Sequence, residues 1–285
     1  MLKRDVNNIS FTVGPALAFL GVFFLAPLLI ILVYSLLSRG AYGEIEFTFS
    51  LKNYANLLDP LYLSILLRSL KLALLTTLFS LLIGYPVALS ISQMVGKRQF
   101  IFLMLVIIPS WMNLLIKNYA WMVILRRQGL LNTALLAAGV IDEPLSLMFN
   151  EPAVLVGLVH TYLPFMALPI YAALERLDRR LIEAARDLGA NRWQTLRRII
   201  FPQSIAGVLV GSILVFVPAL GAFITPDLLG GANSLMVGNL IQNQFFQARD
   251  WPFGSALAIC LMSLVLLALL LYARFAGRVG EERVL

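Results

Sequence analysis

Side chains that could carry out catalysis or hold a metal ion are few and scattered in this sequence. Its one histidine, His160, and its one cysteine, Cys260, both lie in apolar segments. Metal sites and nucleophilic sites combine several His, Cys and carboxylate side chains, and one histidine in an apolar segment cannot complete such a set. We therefore expect no metal site and no catalytic residues. We interpret His160 as a neutral structural residue that bonds Thr161 or nearby backbone.

A loop for binding nucleotide phosphates is also missing from the sequence. The P-loop pattern G-x-x-x-x-G-K-[ST] cradles phosphates with its backbone and needs a lysine followed by a hydroxyl. The nearest fragment, Gly96-Lys97, lacks both the first glycine and that hydroxyl. The sequence therefore predicts that the chain is not an enzyme and that any ATP is hydrolysed by a partner.

Polar residues cluster instead at the ends of apolar segments, where a transported solute could meet them. In "GAFITPDLLGGAN" (221–233), Gly221 and Pro226 interrupt an apolar run, and Phe223 and Asp227 lie beside the interruption. A broken helix frees backbone carbonyls, and a carboxylate next to it indicates a cation site. The alternative is that Asp227 is a solvated loop residue.

A second polar cluster lies in "PSWMNLLIKNYAW" (109–121). By themselves, Trp111 and Tyr119 are typical of the aromatic belt of a membrane protein. Asn113 and Lys117 favour a role in a substrate pathway, because a lysine in an apolar segment must reach the interface or find a partner. The carboxylate of Asp227 is a candidate partner for Lys117.

Composition identifies the elements that must position these residues. The 285-residue chain is 60% hydrophobic and only 13% charged, whereas soluble domains are about 25% charged. Its mean hydropathy is +0.87. This small number of charged residues cannot cover the surface of a globular protein in water. We therefore expect an all-α, polytopic membrane helix bundle in contact with lipid.

Six apolar segments are long enough to cross a membrane, which takes about 20 helical residues. They are Val13–Leu37, Ser69–Ile91, Phe100–Leu125, Pro152–Leu174, Ser204–Thr225 and Pro252–Ala273. Pro109, Asn113 and Lys117 interrupt the third. Leu130–Val140 is too short to span, and an interfacial and a re-entrant helix both remain open for it.

Basic residues predict the orientation of these helices, because cytoplasmic loops are enriched in lysine and arginine. With the N-terminus inside, the inner segments hold 14 basic and seven acidic residues, and the outer segments hold eight of each. The whole net charge of +7 then lies on the cytoplasmic side. Both termini are therefore expected in the cytoplasm, and no nucleic-acid partner is needed to explain the charge.

The inner segment between the fourth and fifth spans contains "EAARDLGANRWQTLRRIIFPQ" (183–203). Apolar residues recur at three- and four-residue spacing, which predicts one apolar helix face: Leu174, Leu177, Leu181, Ala184, Ala185 and Leu188. Gly189 is a predicted helix stop. Asn191 and Gln194 predict a capping box, and Pro202 bends the start of the fifth span. A loop lying on anionic lipid would explain the arginines but not this helix–glycine–helix layout.

This segment resembles the EAA loop of the permease subunits of ATP-binding-cassette (ABC) importers. That pattern reads E-A-A, three residues, G, nine residues, I, any residue, then L-P. The matching residues are Glu183, Ala184, Ala185, Gly189, Ile199 and Pro202. Phe201 stands where leucine is usual, which keeps the position apolar. The resemblance covers nearly the whole chain, because six spans with this loop between the fourth and fifth is the type I importer architecture.

The resemblance implies one permease domain over residues 1–285, with a cytoplasmic coupling loop at 175–203 that docks into a cleft of a separate ABC ATPase. ATP-Mg would bind to that ATPase, and this chain would hold no cofactor. A second homologous permease subunit, expected to be a different chain, and an extracytoplasmic substrate-binding protein would complete the importer in the inner membrane.

The expected cargo also follows from resemblance. Both polar clusters, together with "LLDPLY" (57–62), "LLGGA" (228–232) and "RDWPFGSA" (249–256), resemble the spermidine/putrescine branch of this family. Carboxylates that pair with ammonium groups and rings that offer cation–π contact suit a polyamine. Permeases for ferric iron, sulfate, molybdate or thiamine share the scaffold and remain alternatives. A stand-alone secondary transporter would carry an inverted repeat, and no clear repeat is present.

Overall fold

The computed structural model describes residues 13–15, 17–40, 42–231 and 234–281. The chain divides into two compact units, Met1–Leu63 with Leu240–Leu264 and Ser64–Asn239 with Val265–Leu285. Long apolar segments form helices in both units, because a helix satisfies its backbone hydrogen bonds within its own segment, as a membrane requires.

The first unit begins with a long helix and a small antiparallel sheet. Its elements are α1 (Val13–Ser35, with a π-helical turn at Gly21–Leu25), β1 (Leu37–Arg39), β2 (Ile45–Phe49) and α2 (Lys52–Asn56). The sequence did not predict the sheet, because β1 follows the apolar run of α1 without a break in composition. Arg39 fastens the sheet within this unit: its guanidinium donates to the carbonyl of Ala248 at 2.8 Å and lies 3.7 Å from the carboxylate of Asp250.

The rest of the chain is helical. The helices after α2 are, in chain order, α3 (Pro60–Ser92), α4 (Lys97–Trp111), α5 (Leu114–Leu125), α6 (Leu130–Ala137), α7 (Glu151–Glu175), α8 (Arg179–Asp187), α9 (Arg192–Leu220, with a π-helical turn at Leu196–Ile200), α10 (Ile224–Leu229), α11 (Val237–Phe246) and α12 (Trp251–Glu281).

Helices α7 and α9 form the centre of the second unit. A Cβ atom on Gly207 would lie 2.5 Å from the carbonyl oxygen of Pro169, and one on Gly211 would lie 2.9 Å from the sulfur of Met166. Two glycines one turn apart thus let the backbones of α7 and α9 approach closely, a packing mode typical of membrane helices.

The second unit contains two separate buried apolar clusters. The loop-side core contains Ala88, Met166, Ile170, Leu174, Ile200, Val208 and Val215. The α10-side core contains Leu72, Leu125, Ala153, Val154, Leu158, Leu229 and Met236. The first cluster lies under the charged loop that joins α7 to α9, and the second lies under the short helix α10, so each candidate site rests on its own core.

Within the described residues, five helices are long and apolar enough to cross a membrane, or six if the bent pair Lys97–Trp111 and Leu114–Ala137 is one span. The prediction of a polytopic helix bundle is confirmed. Leu130–Val140 forms an eight-residue helix that ends at Ala137, too short to span.

Three predicted spans differ from the observed helices. The first, Val13–Leu37, ends at Ser35, and Leu37 belongs to β1. The third, Phe100–Leu125, is broken after Trp111, and the two parts Lys97–Trp111 and Leu114–Ala137 meet there at a bend of 97°. The break occurs there because the side chain of Asn113 caps a new helix by accepting the N–H of Leu115 at 2.8 Å. The fifth, Ser204–Thr225, ends at Leu220, where Gly221 closes the helix and the following residues start α10.

Candidate functional site

The predicted coupling residues lie in one helix–turn–helix, formed by α8 and the start of α9. Gly189 follows α8 with φ 82°, and its N–H donates to the carbonyl of Arg186 at 2.9 Å. The N–H of Ala190 donates to the carbonyl of Ala185, also at 2.9 Å. These two bonds are a Schellman motif, which needs the left-handed conformation that glycine adopts freely. The predicted helix stop at Gly189 is confirmed.

Helix α9 begins two residues later with a capping box. The N–H of Asn191 donates to Oε1 of Gln194 at 2.9 Å, and the N–H of Gln194 donates to Oδ1 of Asn191 at 2.8 Å. This confirms the predicted box. The helix then passes through its π-helical turn, in which the N–H of Phe201 donates to the carbonyl of Leu196, and reaches Pro202. Both loop helices are therefore capped, and the second is continuous with a span.

The apolar residues of the loop face two directions. Ala185 is buried, and Leu177 and Ile182 pack against the loop-side core. Leu188 is 89% exposed, and Leu181 and Trp193 are also exposed. The prediction that one apolar face runs from Leu174 to Leu188 is therefore wrong, because part of it packs on the bundle while the rest stays on the surface. Such exposed apolar residues among charges are typical of a protein contact.

The remaining predicted loop residues lie on the outside or at the rim of a cavity. Glu183 and Ala184 are exposed, and Ile199 is half-buried. Glu183 lines a cavity of about 690 Å³ between the loop helices and the ends of α3 and α7. Other lining side chains with charge are Glu175, Arg186 and Arg192. The cavity thus has both carboxylates and guanidinium groups on an apolar floor.

The second region of predicted site residues centres on α10. Phe223 and Asp227 are exposed, whereas Thr225, Pro226 and Leu229 of the same segment are buried. The N–H of Asp227 donates to the carbonyl of Phe223 at 3.0 Å, a backbone bond in which the carboxylate takes no part. Asp227 makes no ion pair with any residue that the structure describes.

Helix α10 sits tightly on α7. A Cβ atom on Gly157 would lie 2.6 Å from the side chain of Leu229 and 2.8 Å from that of Thr225. On α3, the hydroxyl of Ser69 accepts the N–H of Val237 at 2.7 Å. The short helix that carries Asp227 is therefore fixed to α7 by close packing, and the start of the following helix α11 is fixed to α3 by a buried hydrogen bond.

The residues predicted from the second polar cluster take different positions along α4 and α5. Trp111 and Tyr119 are exposed, Asn113 caps α5, and Lys117 is only 6% exposed. The suggested pair between Lys117 and Asp227 is not formed, because the lysine is buried while the carboxylate faces outward. The structure therefore keeps these charges apart.

His160 is engaged in a structural contact that the sequence did not predict. Nε1 of Trp121 donates to its Nδ1 at 3.2 Å, and the two rings meet edge to face with centroids 5.7 Å apart. The expected partner, Thr161, has a buried hydroxyl without a hydrogen-bond partner in the described residues. Since the partners are 39 residues apart, no local pattern in the sequence could have revealed this bond.

Metal binding has no support in the described part of the chain. No group of three or more His, Cys, Asp or Glu side chains comes together there in a way that could hold an ion. The chemistry available at the two regions is recognition: a charged, partly apolar loop surface at one, and a carboxylate one helical turn after the exposed ring of Phe223 at the other.

A bundle of long apolar helices, with a capped charged helix–turn–helix between two of them, defines a membrane component of a transport system. The chain belongs to the family described as "Binding-protein-dependent transport system inner membrane component", which matches residues 10–281. It is a membrane permease component of a binding-protein-dependent transport system.

Relatives and solved structures agree with this family. The chain is 45% identical over 263 residues to the spermidine/putrescine transport system permease protein PotB of Escherichia coli (strain K12), covering 92% of this chain and 95% of PotB. It is 43% identical over 273 residues to PotB of Haemophilus influenzae, covering 95% and 96%. A crystal structure of a bacterial ABC transporter involved in the import of the acidic polysaccharide alginate superposes with a TM-score of 0.81 at 17% identity, covering 97% of this chain and 98% of that chain.

Sequence reasoning missed one charged cluster. Glu151, in the first turn of α7, accepts from Lys71 at 2.6 Å and lies 3.3 Å from Arg68, both on α3. The motif Asn150-Glu151-Pro152 is a readable helix start, with Asn150 accepting the N–H of Ala153 at 2.9 Å. The sequence could not predict that Glu151 pairs with α3, because Glu151 and Lys71 are 80 residues apart in the chain.

Proposed function

We propose that this permease carries polyamines of the spermidine/putrescine type across the inner membrane, with both of its termini in the cytoplasm. The observation that carries the proposal is the 45% identity to PotB over nearly the full length of both chains.

The chemistry of the α10 region supports a cationic cargo. Asp227 is an exposed carboxylate on a fixed helix, and it has no ion pair among the described residues. The proposed pathway also includes the exposed aromatic rings of Phe223, Trp111 and Tyr119. Asn113 and the buried Lys117 lie between Trp111 and Tyr119 in the sequence and complete the proposed set. Carboxylates bind ammonium groups directly, and rings attract organic cations by about 0.5–2 kcal/mol.

The loop at 175–203 is the proposed contact with an ABC ATPase, within a single permease domain over residues 1–285. Exposed Leu181, Leu188 and Trp193 offer apolar contact area, and capped helices keep that area rigid. Ile182 and Leu177 join the loop to the loop-side core, so a force on α8 would reach α7 and α9. In the proposed complex, two ATPases bind ATP-Mg, and a second permease and an extracytoplasmic binding protein complete the importer.

Uptake into proteoliposomes that hold the whole importer tests the cargo. We expect labelled spermidine and putrescine, supplied on the binding protein, to be taken up when ATP is present. Unlabelled polyamines should compete with this uptake. Excess ferric iron, sulfate, molybdate or thiamine should leave the rate unchanged. Uptake of one of these four instead of polyamine would contradict the proposal and leave the permease class intact.

A substitution at Asp227 tests the contribution of one residue in the same uptake experiment. In Asp227→Asn, spermidine uptake should fall about tenfold or more, because a desolvated charged hydrogen bond is worth about 1.5–3 kcal/mol. Assembly and basal ATP hydrolysis should persist, since the backbone bond of Asp227 does not involve its carboxylate.

Asp59 provides the matched control for this substitution. It is exposed and accepts the N–H of Leu61 at 2.8 Å, a cap that asparagine also provides. Asp59→Asn should keep uptake near the wild-type rate, since a solvated surface carboxylate is worth about 0–1 kcal/mol. Equal, small effects of both substitutions would mean that Asp227 is a solvated loop residue.

A further inference from the structure

Phe149 holds a backbone conformation that is unusual for a bulky residue. Its φ is 61°, in the left-handed region, and its side chain is 61% exposed. For an L-residue other than glycine this conformation is sterically strained, and aromatic residues rarely adopt it. The structure must therefore hold Phe149 in place through its neighbours.

The neighbour that holds it is the segment around α10. The N–H of Phe149 donates to the carbonyl of Leu229, the last residue of α10, at 2.9 Å. Gly231 is itself left-handed, with φ 62°, and a Cβ atom there would lie 3.1 Å from the Cβ of Phe149. The ring thus stands against the end of the same short helix that carries Asp227 two residues before Leu229.

Stability does not explain this position. The two preceding residues, Leu147 and Met148, pack against the α10-side core. Phe149 follows them directly, yet the left-handed turn directs its ring away from that core. An aromatic ring kept in an exposed place by a strained backbone gives up the gain from burial, a combination that occurs at ligand-contacting sites.

Of the two carboxylates nearest to Phe149 along α7 and α10, one is unpaired among the described residues. Glu151, two residues on, is paired with Lys71 at 2.6 Å and with Arg68 at 3.3 Å. Asp227 has no ion pair in the part of the chain that the structure describes. A cation that approaches the end of α10 would therefore find a carboxylate on the helix and an exposed aromatic ring fixed to the helix end.

We propose that Phe149 is a cargo-contacting residue whose ring receives an organic ammonium group by cation–π contact, at the end of the short helix that carries Asp227. This inference rests on the proposed polyamine function. Since the ring is placed by the backbone, its role should depend on its aromatic face and not on apolar bulk. Tyrosine should replace it, and leucine should not.

The experiment compares four variants in the complete reconstituted importer: Phe149→Ala, Phe149→Gly, Phe149→Leu and Phe149→Tyr. Spermidine uptake should slow by about twofold to thirtyfold in the first three, the range that loss of one cation–π contact gives, and stay near wild type in Phe149→Tyr. The concentration of loaded binding protein that half-saturates ATP hydrolysis should not change in any variant.

Alanine and glycine separate the ring from the backbone, because both remove the ring but only glycine relieves the left-handed strain. Phe149→Gly should melt about 1–3 °C above Phe149→Ala, yet both should transport equally slowly. Arg249 is the matched control, an exposed residue with φ 51°. Arg249→Gly should likewise melt above Arg249→Ala, with normal spermidine uptake in both.

Three results overturn the proposal. Normal uptake in Phe149→Gly with slow uptake in Phe149→Ala makes the position structural. Normal uptake in Phe149→Leu shows that apolar bulk suffices. A raised half-saturating concentration of binding protein makes the ring a docking contact for that protein. If the wild-type importer carries no polyamine at all, the proposed function has failed first, which the uptake of the unmodified complex reveals.

Discussion

Two short helices of this permease, α6 and α8, end in the same way but present different surfaces. At the end of α6, Gly139 has φ 67°. The N–H of Gly139 donates to the carbonyl of Leu136, and the N–H of Val140 donates to the carbonyl of Leu135, both at 3.0 Å. At the end of α8, Gly189 makes the same two bonds. At both glycines, the space that a Cβ atom would take is open.

The surfaces and anchors of the two helices differ. Five of the nine residues of α8 are charged, whereas α6, with the sequence LLNTALLA, has no charge. Helix α6 is anchored by the buried side chain of Asn132, which bonds both the N–H and the carbonyl of Leu145, at 3.0 and 2.9 Å. Helix α8 is anchored by apolar Ile182 instead. A shared cap thus fixes where a helix stops, while the surface decides whether it suits lipid or a protein partner.

The largest expected effect comes from valine at the two glycines. A β-branched residue cannot adopt the left-handed conformation without strain, so each substitution should disturb its own helix end by a similar amount. Gly189→Val should lose at least about nine-tenths of the ATPase that co-purifies with the complex, a loss of 1.4 kcal/mol or more. Gly139→Val should keep full ATPase association.

Insertion into the membrane, measured as the amount of folded permease after detergent extraction, should be alike for the two valine variants. Full ATPase association and transport in Gly189→Val would falsify the docking role of the loop. Equal loss in both variants would mean that the ATPase senses general damage, and the distinction between the two helix ends would disappear.

Replacing an exposed leucine by aspartate should have a smaller effect than valine at the glycines. The property that changes should differ between the two helices: ATPase binding for α8 and membrane insertion for α6. Leu188 is 89% and Leu130 70% exposed. Leu188→Asp should weaken ATPase binding about tenfold, as loss of a central apolar contact does, with normal insertion. Leu130→Asp should leave ATPase binding unchanged and reduce the amount of inserted protein a few-fold, since Asp near hydrocarbon costs up to about 3 kcal/mol. A weaker ATPase complex in Leu130→Asp would show that α6 is part of the docking surface.

Cysteine labelling should show that the two helix ends lie on opposite sides of the membrane. These cysteine substitutions should leave transport unchanged, so their effect is the smallest of the three. In a Cys260→Ala background, Ala138→Cys after α6 and Arg176→Cys before α8 are both exposed. A membrane-impermeant thiol reagent added outside should label only Ala138→Cys, because the proposed orientation puts the two loops on opposite sides. Labelling of both from one side would refute the six-span orientation and its charge distribution together.

The sequence predicted the elements whose cause is local. A run of apolar residues near the thickness of the hydrocarbon core becomes a spanning helix wherever it occurs, which is why α3, α7 and α12 contain the predicted segments. The stop at Gly189 and the box of Asn191 and Gln194 also depend only on residues within one turn.

The sequence could not predict what depends on residues far apart. The pairing of Trp121 with His160 and that of Lys71 with Glu151 arise from how whole helices pack. The direction of Leu181 and Leu188 is a similar case: periodicity identifies apolar residues but not which of them the bundle covers. The roles of Glu183, Gly189 and Asp227 in coupling and transport stay predictions, since they concern partners outside this chain.

The π-helical turn at Leu196–Ile200 sets the angular phase between the loop and the membrane span. It holds one residue more than an α-helical turn would, and each helical residue turns the chain by about 100°. Removal of one residue, such as Arg197, would let α9 continue as a regular helix. Because the wider turn takes up that extra residue, Trp193 and the whole of α8 would keep nearly the same direction. Removal of a residue from the α-helical part of α9 would instead swing them about 100° around the axis of the span, so the same capped, leucine-bearing surface would point along a different side of the bundle.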